Sequence, residues 1–278
     1  MTNEQNLKEL VRQKYSEIAL QDKTVNAASC CGATGCSTDV YNIMSDDYTQ
    51  LAGYNPAADL SLGCGLPTQF AKIKPGDTVI DLGSGAGNDA FIARHETGST
   101  GRVIGIDFSE AMINKARQNV EKLGFNNVEF RQGDIEKMPI SANVGDVIVS
   151  NCVLNLVPNK ANVFKEIQRV LKPGGHFSIS DIVLAGELPK NLQEAAEMYA
   201  GCVSGAIQKE EYLSLIRQSG FESIEIQKEK PIIIPDDILL QYITEEELAT
   251  FKQSGMGIYS ITVFARKSEC CEPGSGCC

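Results

Sequence analysis

A glycine-rich loop between an apolar stretch and a helical stretch constrains the fold of this chain more than any other feature. Residues 78–82 are apolar apart from Asp81 and Thr78, and Gly83, Gly85 and Gly87 follow directly. Glycines at such a turn let the backbone bend sharply and approach a ligand without β-carbon clashes. A strand that passes through such a loop into a helix predicts a parallel sheet with a ligand site at its edge.

Strand and helix patterns alternate on both sides of this loop. A helical spacing of apolar residues covers 4–20. The central part predicts strands at 78–82, 102–107, 128–134, 146–151 and 176–181, and helices at 88–94, 109–123 and 163–171, with Ser109 as an N-cap. Apolar strands that alternate with helices predict an α/β fold with a mainly parallel, doubly wound sheet.

The pattern weakens beyond residue 185, where it predicts helices near 192–202 and 209–219 and strands near 224–227 and 258–266. We therefore expect four parts. An N-terminal helix and cysteine-containing loop occupy 1–65, a Rossmann-like domain 66–185, a smaller C-terminal α+β substrate region 186–267, and a cysteine-rich tail 268–278. The tail has glycine and serine but no apolar content, which predicts mobility.

Charge and composition narrow the classes of function. The net charge is −11 and no dense basic stripe is present, which argues against a nucleic-acid partner. The apolar runs are too short to cross a bilayer and the first 20 residues do not resemble an export signal, so we expect a cytoplasmic protein with no membrane partner. Its ten cysteines should then be mostly reduced.

The spacing of the loop glycines predicts the class of cofactor. A dinucleotide-binding loop requires a third glycine at position 88, which is Asn88. The acid-then-G-x-G-x-G order from Asp81 to Gly87 instead resembles the signature of S-adenosylmethionine enzymes. Asp107 ends the second strand, where an acid accepts from ribose hydroxyls, and Asp134 follows the third, where it can accept from adenine. The full set of expected cofactor-binding residues is Asp81, Gly83, Ser84, Gly85, Gly87, Asp107, Phe108, Met112, Asp134, Ile135 and Asn151.

Cysteines are placed where a methyl acceptor would be bound, whereas histidines are not. The two histidines, His95 and His176, fall outside the expected cleft and are interpreted as structural or surface residues. Cys152 stands at the end of the fourth strand, Cys64 in a Gly-Cys-Gly turn, and Cys202 after a glycine. Soft thiolates suit a soft ion such as As(III).

These motifs resemble arsenite methyltransferases over nearly the whole chain. The resemblance rests on 63–65, 81–87, 150–158 and 201–202. It implies that Cys64, Cys152 and Cys202 bind As(III), and that a further N-terminal cysteine takes part in binding and redox cycling. By local context that cysteine is Cys30 or Cys31, with Cys36 nearby, and we expect it to pair with Cys64 in a disulfide during turnover.

The resemblance implies methyl transfer from S-adenosylmethionine to thiolate-bound arsenite or methylarsenite. Three sulfurs leave the arsenic lone pair free as the nucleophile, so no general base is needed. A disulfide formed in turnover needs an external thiol reductant of thioredoxin or glutathione type. Two alternatives remain open: a small-molecule C- or N-methyltransferase, which leaves the cysteines unexplained, and a non-enzymatic soft-metal-binding protein, which leaves the glycine loop unexplained.

Overall fold

The computed structural model describes residues 3–20, 46–186, 205–233, 236–240, 243–254 and 256–269. The strands in this part of the chain are β1 (Thr78–Leu82), β2 (Arg102–Asp107), β3 (Val128–Gln132), β4 (Gly145–Asn151), β5 (Leu171–Ala185), β6 (Phe221–Ile232) and β7 (Gly257–Lys267). The helices are α1 (Asn3–Leu20), α2 (Pro67–Phe70), α3 (Asn88–Thr97), α4 (Glu110–Leu123), α5 (Lys160–Val170), α6 (Lys209–Gln218), α7 (Asp236–Leu239) and α8 (Glu245–Gln253). No helix among these is long and apolar enough to cross a bilayer.

The strands form one sheet of seven in the order β3-β2-β1-β4-β5-β7-β6. Neighbours from β3 to β5 are parallel, whereas β7 runs antiparallel between β5 and β6. The predicted α/β class with a mainly parallel sheet is confirmed. Burial explains why the central strands are almost wholly apolar: β1, β2 and β4 contribute buried side chains to apolar clusters on both faces of the sheet.

The helix that follows β2 shows how local sequence sets an element's ends. The Ser109 side chain accepts a hydrogen bond from Met112 N at 3.4 Å, which confirms the predicted N-cap. Gly124 ends α4 in a left-handed conformation with φ of 67°. Between the two caps, Met112, Ile113 and Ala116 are buried against the sheet. The two caps fix the ends of α4. Asp107 lies at the end of β2, two positions before the Ser109 cap, so the start of α4 also sets the position of Asp107.

The C-terminal strands complete the same sheet. β7 pairs with β5 from His176–Arg266 to Ala185–Gly257 and with β6 on its other side. The predicted domain boundary at 185/186 therefore falls within a single sheet, between β5 and the strands β6 and β7. β5 and β6 are also longer than the predicted 176–181 and 224–227, because pairing with β7 supplies backbone partners along their length that no sequence alternation reveals. The helix predicted near 192–202 lies outside the described residues.

Candidate active site

The glycine loop forms the floor of a cleft at the carboxyl end of the sheet. Gly83, Gly85 and Gly87 all have positive φ, at 66°, 51° and 102°, the region that glycine adopts without a β-carbon penalty. A β-carbon on Gly85 would meet nothing within 4 Å, whereas one on Gly87 would lie 2.8 Å from Phe130 Cζ. Gly85 therefore faces open space, and Gly87 lies against the core.

The cleft spans about 1090 Å³, including space open to solvent, and is lined by ten of the eleven residues predicted to contact the cofactor. Gly87 does not line it, and the rings of Phe91 and Phe130 lie within 3 Å of the position that a β-carbon on Gly87 would take. Its φ of 102° makes Gly87 a residue of the turn instead. The predicted residues that do line the cleft are Asp81, Gly83, Ser84, Gly85, Asp107, Phe108, Met112, Asp134, Ile135 and Asn151.

Three buried carboxyl groups give the cleft an acidic interior. Burial raises the pKa of Asp107 to about 6, although hydrogen bonds from backbone N–H groups oppose the shift. Burial also raises the pKa of Asp89 to about 6, against hydrogen bonds from Tyr48 and Asn151. The pKa of Asp81 is raised well above its usual range by burial and by the charges of Asp89 and Asp107. Such shifts favour a cationic ligand, whose charge lowers the cost of ionising these acids.

Four buried polar atoms beside the loop have no hydrogen-bond partner within the described part of the chain. Buried polar atoms are costly unless they are satisfied. All four lie on residues that line the cleft, so a polar ligand with donors and acceptors fits this surface. The atoms are Asp81 Oδ2, Ser84 Oγ, Asn88 Oδ1 and Asp89 Oδ1.

Helix α1 covers one side of the cleft, which the sequence did not predict. Lys8 and Tyr15 line it. The Lys8 ammonium lies 2.6 Å from Asp134 Oδ2 and also pairs with Glu136. Although partial burial lowers the Lys8 pKa, these hydrogen bonds raise it overall. The carboxyl group predicted to face adenine is thus already linked to the helix that closes the cleft.

Two of the predicted cysteines meet beside the cleft. Cys64, on the turn before α2, and Cys152, directly after β4, are joined by a disulfide with a Cα–Cα distance of 5.7 Å. Both side chains are buried, and Cys152 lines the cleft. The expected pairing of Cys64 with Cys30 or Cys31 differs from this one. Cys64 pairs with Cys152 because the sheet brings the Gly-Cys-Gly turn directly over the end of β4.

The Asn151 side chain holds the turn that carries Cys64. Its Oδ1 accepts from Cys64 N at 3.0 Å and from Gly65 N at 3.3 Å, and its Nδ2 donates to Gly65 O at 2.8 Å. Ser260 Oγ on β7 donates to Cys64 O at 2.6 Å. A β-carbon on Gly63 would lie 2.6 Å from Asn151 Nδ2. Asn151 therefore lines the cleft as predicted, and its amide is bonded to the cysteine turn.

Cys152 adopts a backbone conformation that is uncommon for residues other than glycine. Its φ is 58°, and its N–H donates to Ser180 O on β5 at 2.8 Å. Such conformations cost free energy and are concentrated at functional sites. The bend turns the chain out of β4 so that the Cys152 side chain borders the cleft.

The remaining predicted cysteines, Cys30, Cys31 and Cys202, lie outside the described residues, as do Cys36 and the cysteines of the tail. Gly205, three positions after Cys202, is described, and its carbonyl accepts from Lys160 Nζ at 2.8 Å. The next residue, Ala206, belongs to the same buried apolar cluster as Cys64 and Cys152. The described chain therefore resumes at the cluster that contains the thiol pair.

Both histidines lie away from the cleft. His95 is exposed on α3. His176 on β5 has its Nε2 2.6 Å from Ala71 O, and its pKa is lowered chiefly by burial. Sequence reasoning missed Tyr48, Asp89 and Lys8. Asp89 could have been suggested by its place in the first turn of α3, whereas Tyr48 precedes the domain without a motif.

Comparisons with known proteins agree with this geometry. The family described as "Methyltransferase domain" matches residues 73–220. An arsenite methyltransferase of Halobacterium salinarum is 38% identical over 273 residues, covering 94% of this chain and 66% of that protein. One of Aquipseudomonas alcaligenes is 30% identical, covering 84% of this chain and 67% of that protein. The chain belongs to the arsenite methyltransferase family.

A solved structure supports the same family. The arsenic(III) S-adenosylmethionine methyltransferase of Chlamydomonas reinhardtii is similar to this chain with a TM-score of 0.64 and 30% identity, covering 84% of this chain and 74% of the other. The chain spans about two thirds of the archaeal and bacterial relatives, and 44% and 40% of the mouse and human arsenite methyltransferases. The resemblance seen in the sequence motifs is confirmed.

Proposed function

We propose that this chain transfers methyl groups from S-adenosylmethionine to As(III) held by cysteine thiolates, giving methylated arsenicals and so detoxifying arsenite. The observation that carries the proposal is the meeting of two cysteine sulfurs, separated by 88 positions in the chain, at the edge of the cofactor cleft. Membership of the arsenite methyltransferase family supports the choice of arsenic as acceptor.

The residues of the cleft fit S-adenosylmethionine. The glycine loop and the unpartnered polar atoms of Asp81 and Ser84 suit the amino acid part. Asp107 suits the ribose hydroxyls and Asp134 the adenine amine, because both carboxyl groups line the cleft where strands end. The acidic interior favours the positive charge of the sulfonium. When bound, the cofactor supplies an electrophilic methyl group.

The thiols of Cys64 and Cys152 hold the substrate once their disulfide is reduced. That reduction consumes two electrons and two protons, and we assign them to an external thiol reductant of thioredoxin or glutathione type. As(III) then exchanges hydroxide ligands for the two thiolates, with Cys202 as the proposed third ligand. Uncharged As(OH)₃ also suits an acidic cleft better than an anion does. We place this chemistry in the cytoplasm, where thiols stay reduced.

The histidine positions suit this chemistry. A thiolate-bound arsenic attacks through its own lone pair, so the acceptor has no proton to lose and no general base is required. The described residues place His95 and His176 away from Cys152, as this chemistry allows. After transfer the arsenic is formally pentavalent, and two electrons from a pair of protein thiols return it to As(III) and leave a disulfide.

Replacement of Cys152 by serine tests the proposal. We expect Cys152→Ser and Cys202→Ser each to abolish arsenite methylation, because a hydroxyl is a poor ligand for a soft ion. Binding of S-adenosylhomocysteine, measured by titration calorimetry, should remain close to that of the unmodified protein. Arsenic species are separated by chromatography after incubation with arsenite, cofactor and a dithiol. Undiminished arsenite turnover by Cys152→Ser would exclude the proposed function.

A further inference from the structure

Tyr48 is a buried polar residue that none of the chemistry above employs. Its hydroxyl lies 3.0 Å from Gly65 O and 2.9 Å from Asp89 Oδ2. The Asn151 amide also donates to this hydroxyl. The side chain is buried, with 6% of its surface exposed. One hydroxyl therefore contacts an acid of the cofactor cleft and the carbonyl beside the cysteine turn.

A tyrosine hydroxyl carries a single proton, so it cannot donate to both acceptors at once. When Asp89 is ionised, its carboxylate is the stronger acceptor and takes the proton of Tyr48. When Asp89 is protonated, it can donate to the Tyr48 oxygen, and the Tyr48 proton then points to Gly65 O. The same three atoms therefore support two hydrogen-bond patterns, and only the second gives Tyr48 a direct hydrogen bond to the turn.

The turn in question is the one that carries Cys64. Gly65 follows Cys64 directly, and its carbonyl otherwise accepts from Asn151 Nδ2 at 2.8 Å. Both glycines of the turn are crowded: a β-carbon on Gly63 would lie 2.6 Å from Asn151 Nδ2, and one on Gly65 would lie 2.5 Å from Ser180 Oγ. A hydrogen bond gained or lost at Gly65 O therefore acts on a close-packed turn and changes the hold on Cys64.

We propose that Tyr48 is a positioning residue that couples the cofactor cleft, through Asp89, to the cysteine turn, through Gly65. The role in methyl transfer rests on the proposed function, whereas the coupling itself concerns only the cleft and the thiol pair. A cation in the cleft favours ionised Asp89 and draws the Tyr48 proton from Gly65 O. Cofactor binding then loosens the hold on Cys64, and the two sites are linked reciprocally.

The exchange of the Cys64–Cys152 disulfide with dithiothreitol measures this hold without arsenic. In that exchange dithiothreitol gives up two electrons and two protons and becomes the cyclic disulfide, and the protein gains two thiols. The exchange is run at pH 6, near the pKa of Asp89, so that both hydrogen-bond patterns are populated before cofactor is added. Alkylation followed by mass spectrometry of the two cysteine peptides reports the position of equilibrium in the full chain. A well-held Cys64 keeps its thiol near Cys152 and so favours the disulfide.

Phenylalanine at position 48 keeps the ring and removes the hydroxyl. We expect Tyr48→Phe to lower the equilibrium constant for the disulfide about fivefold, the effect of one hydrogen bond. The matched control is Tyr54→Phe, because the Tyr54 hydroxyl donates to a different carboxylate, that of Asp59, at 2.8 Å. We expect no change in the control. Thermal unfolding of both variants separates this result from general loss of structure.

The response of the disulfide equilibrium to cofactor distinguishes coupling through Tyr48 from a merely structural role of this residue. S-adenosylmethionine should lower the disulfide equilibrium constant of the unmodified protein, and this response should disappear in Tyr48→Phe. Asp89→Asn, which cannot ionise and can donate from its amide, should keep a favourable disulfide and also lose the response. If Tyr48→Phe retains both the wild-type constant and the wild-type response, the coupling is refuted. Failure of arsenite binding alone would refute the proposed function and leave this result standing.

Discussion

Replacement of Asp107 by asparagine tests the proposed ribose-binding end of the cleft. The carboxylate accepts from Gly85 N at 3.0 Å, from Ser109 N at 2.8 Å and from Phe108 N, and one of its four lone pairs remains for a hydroxyl donor. Asparagine retains one acceptor oxygen and no charge. A hydrogen bond to a charged group contributes about 1.5–3 kcal/mol, so we expect the Kd for S-adenosylhomocysteine to rise about 10- to 150-fold.

The pH dependence of binding gives this variant a second signature. Burial raises the pKa of Asp107 to about 6, so the carboxylate is charged above that pH and becomes protonated below it. Affinity should therefore be full at high pH and fall as the pH drops through 6. Asp89, whose pKa is also raised to about 6, contributes in the same range. Asp107→Asn removes one titrating group, so one proton fewer is coupled to cofactor binding. The slope of log Kd against pH should therefore decrease by about one.

Titration calorimetry across pH 5 to 8 measures both quantities. Asp134→Asn is the matched control, because that carboxyl group also lines the cleft but its side chain is 43% exposed. We expect only a few-fold weakening there, since water can replace a lost partner. A Kd for Asp107→Asn close to that of the unmodified protein at pH 7, with the pH slope unchanged, would refute the assignment of Asp107.

Three further predictions concern the loop, the covering helix and the tail. Gly87→Ala should lower the free energy of unfolding by about 1–3 kcal/mol more than Gly124→Ala, measured in urea. Both glycines have positive φ, but only at Gly87 would the new β-carbon meet aromatic rings. Lys8→Met should raise the KM for S-adenosylmethionine and leave kcat unchanged, because it removes the ion pair from α1 to Asp134; a changed kcat with KM unaltered would contradict this. Truncation after Lys267 should leave the rate at low arsenite unchanged, whereas a slower rate would show that the tail cysteines deliver substrate.

The elements that could be predicted from sequence are those whose signal is local. The buried strands β1, β2 and β4 are short apolar runs, and Ser109 caps α4 through its own side chain. The position of β7 between β5 and β6 could not be predicted, because it depends on pairing between segments far apart in the chain. The lengths of β5 and β6 follow from that pairing, and so were underestimated.

The same distinction applies to the candidate site. Asp107 and Asp134 were found because acids at strand ends form a recognisable pattern, and both line the cleft. Tyr48 gave no such signal, since its role depends on Gly65 and Asp89, 17 and 41 positions away. The proximity of Cys64 to Cys152 likewise needs the sheet to bring the turn over β4. The types of residue in the site could be predicted from the sequence, but the positions of those residues relative to one another could not.

The disulfide between Cys64 and Cys152 is also a cross-link that restricts the unfolded chain. It closes a covalent loop across 88 positions that contains β1 to β4. Closing a loop of this size removes chain entropy from the unfolded state and stabilises the fold by about 4–5 kcal/mol. Reduction, which frees the thiols that we propose to bind arsenite, removes this cross-link. Arsenic held by both sulfurs would close the same loop again, so arsenite should raise the melting temperature of the reduced protein and act as a reversible cross-link of the chain.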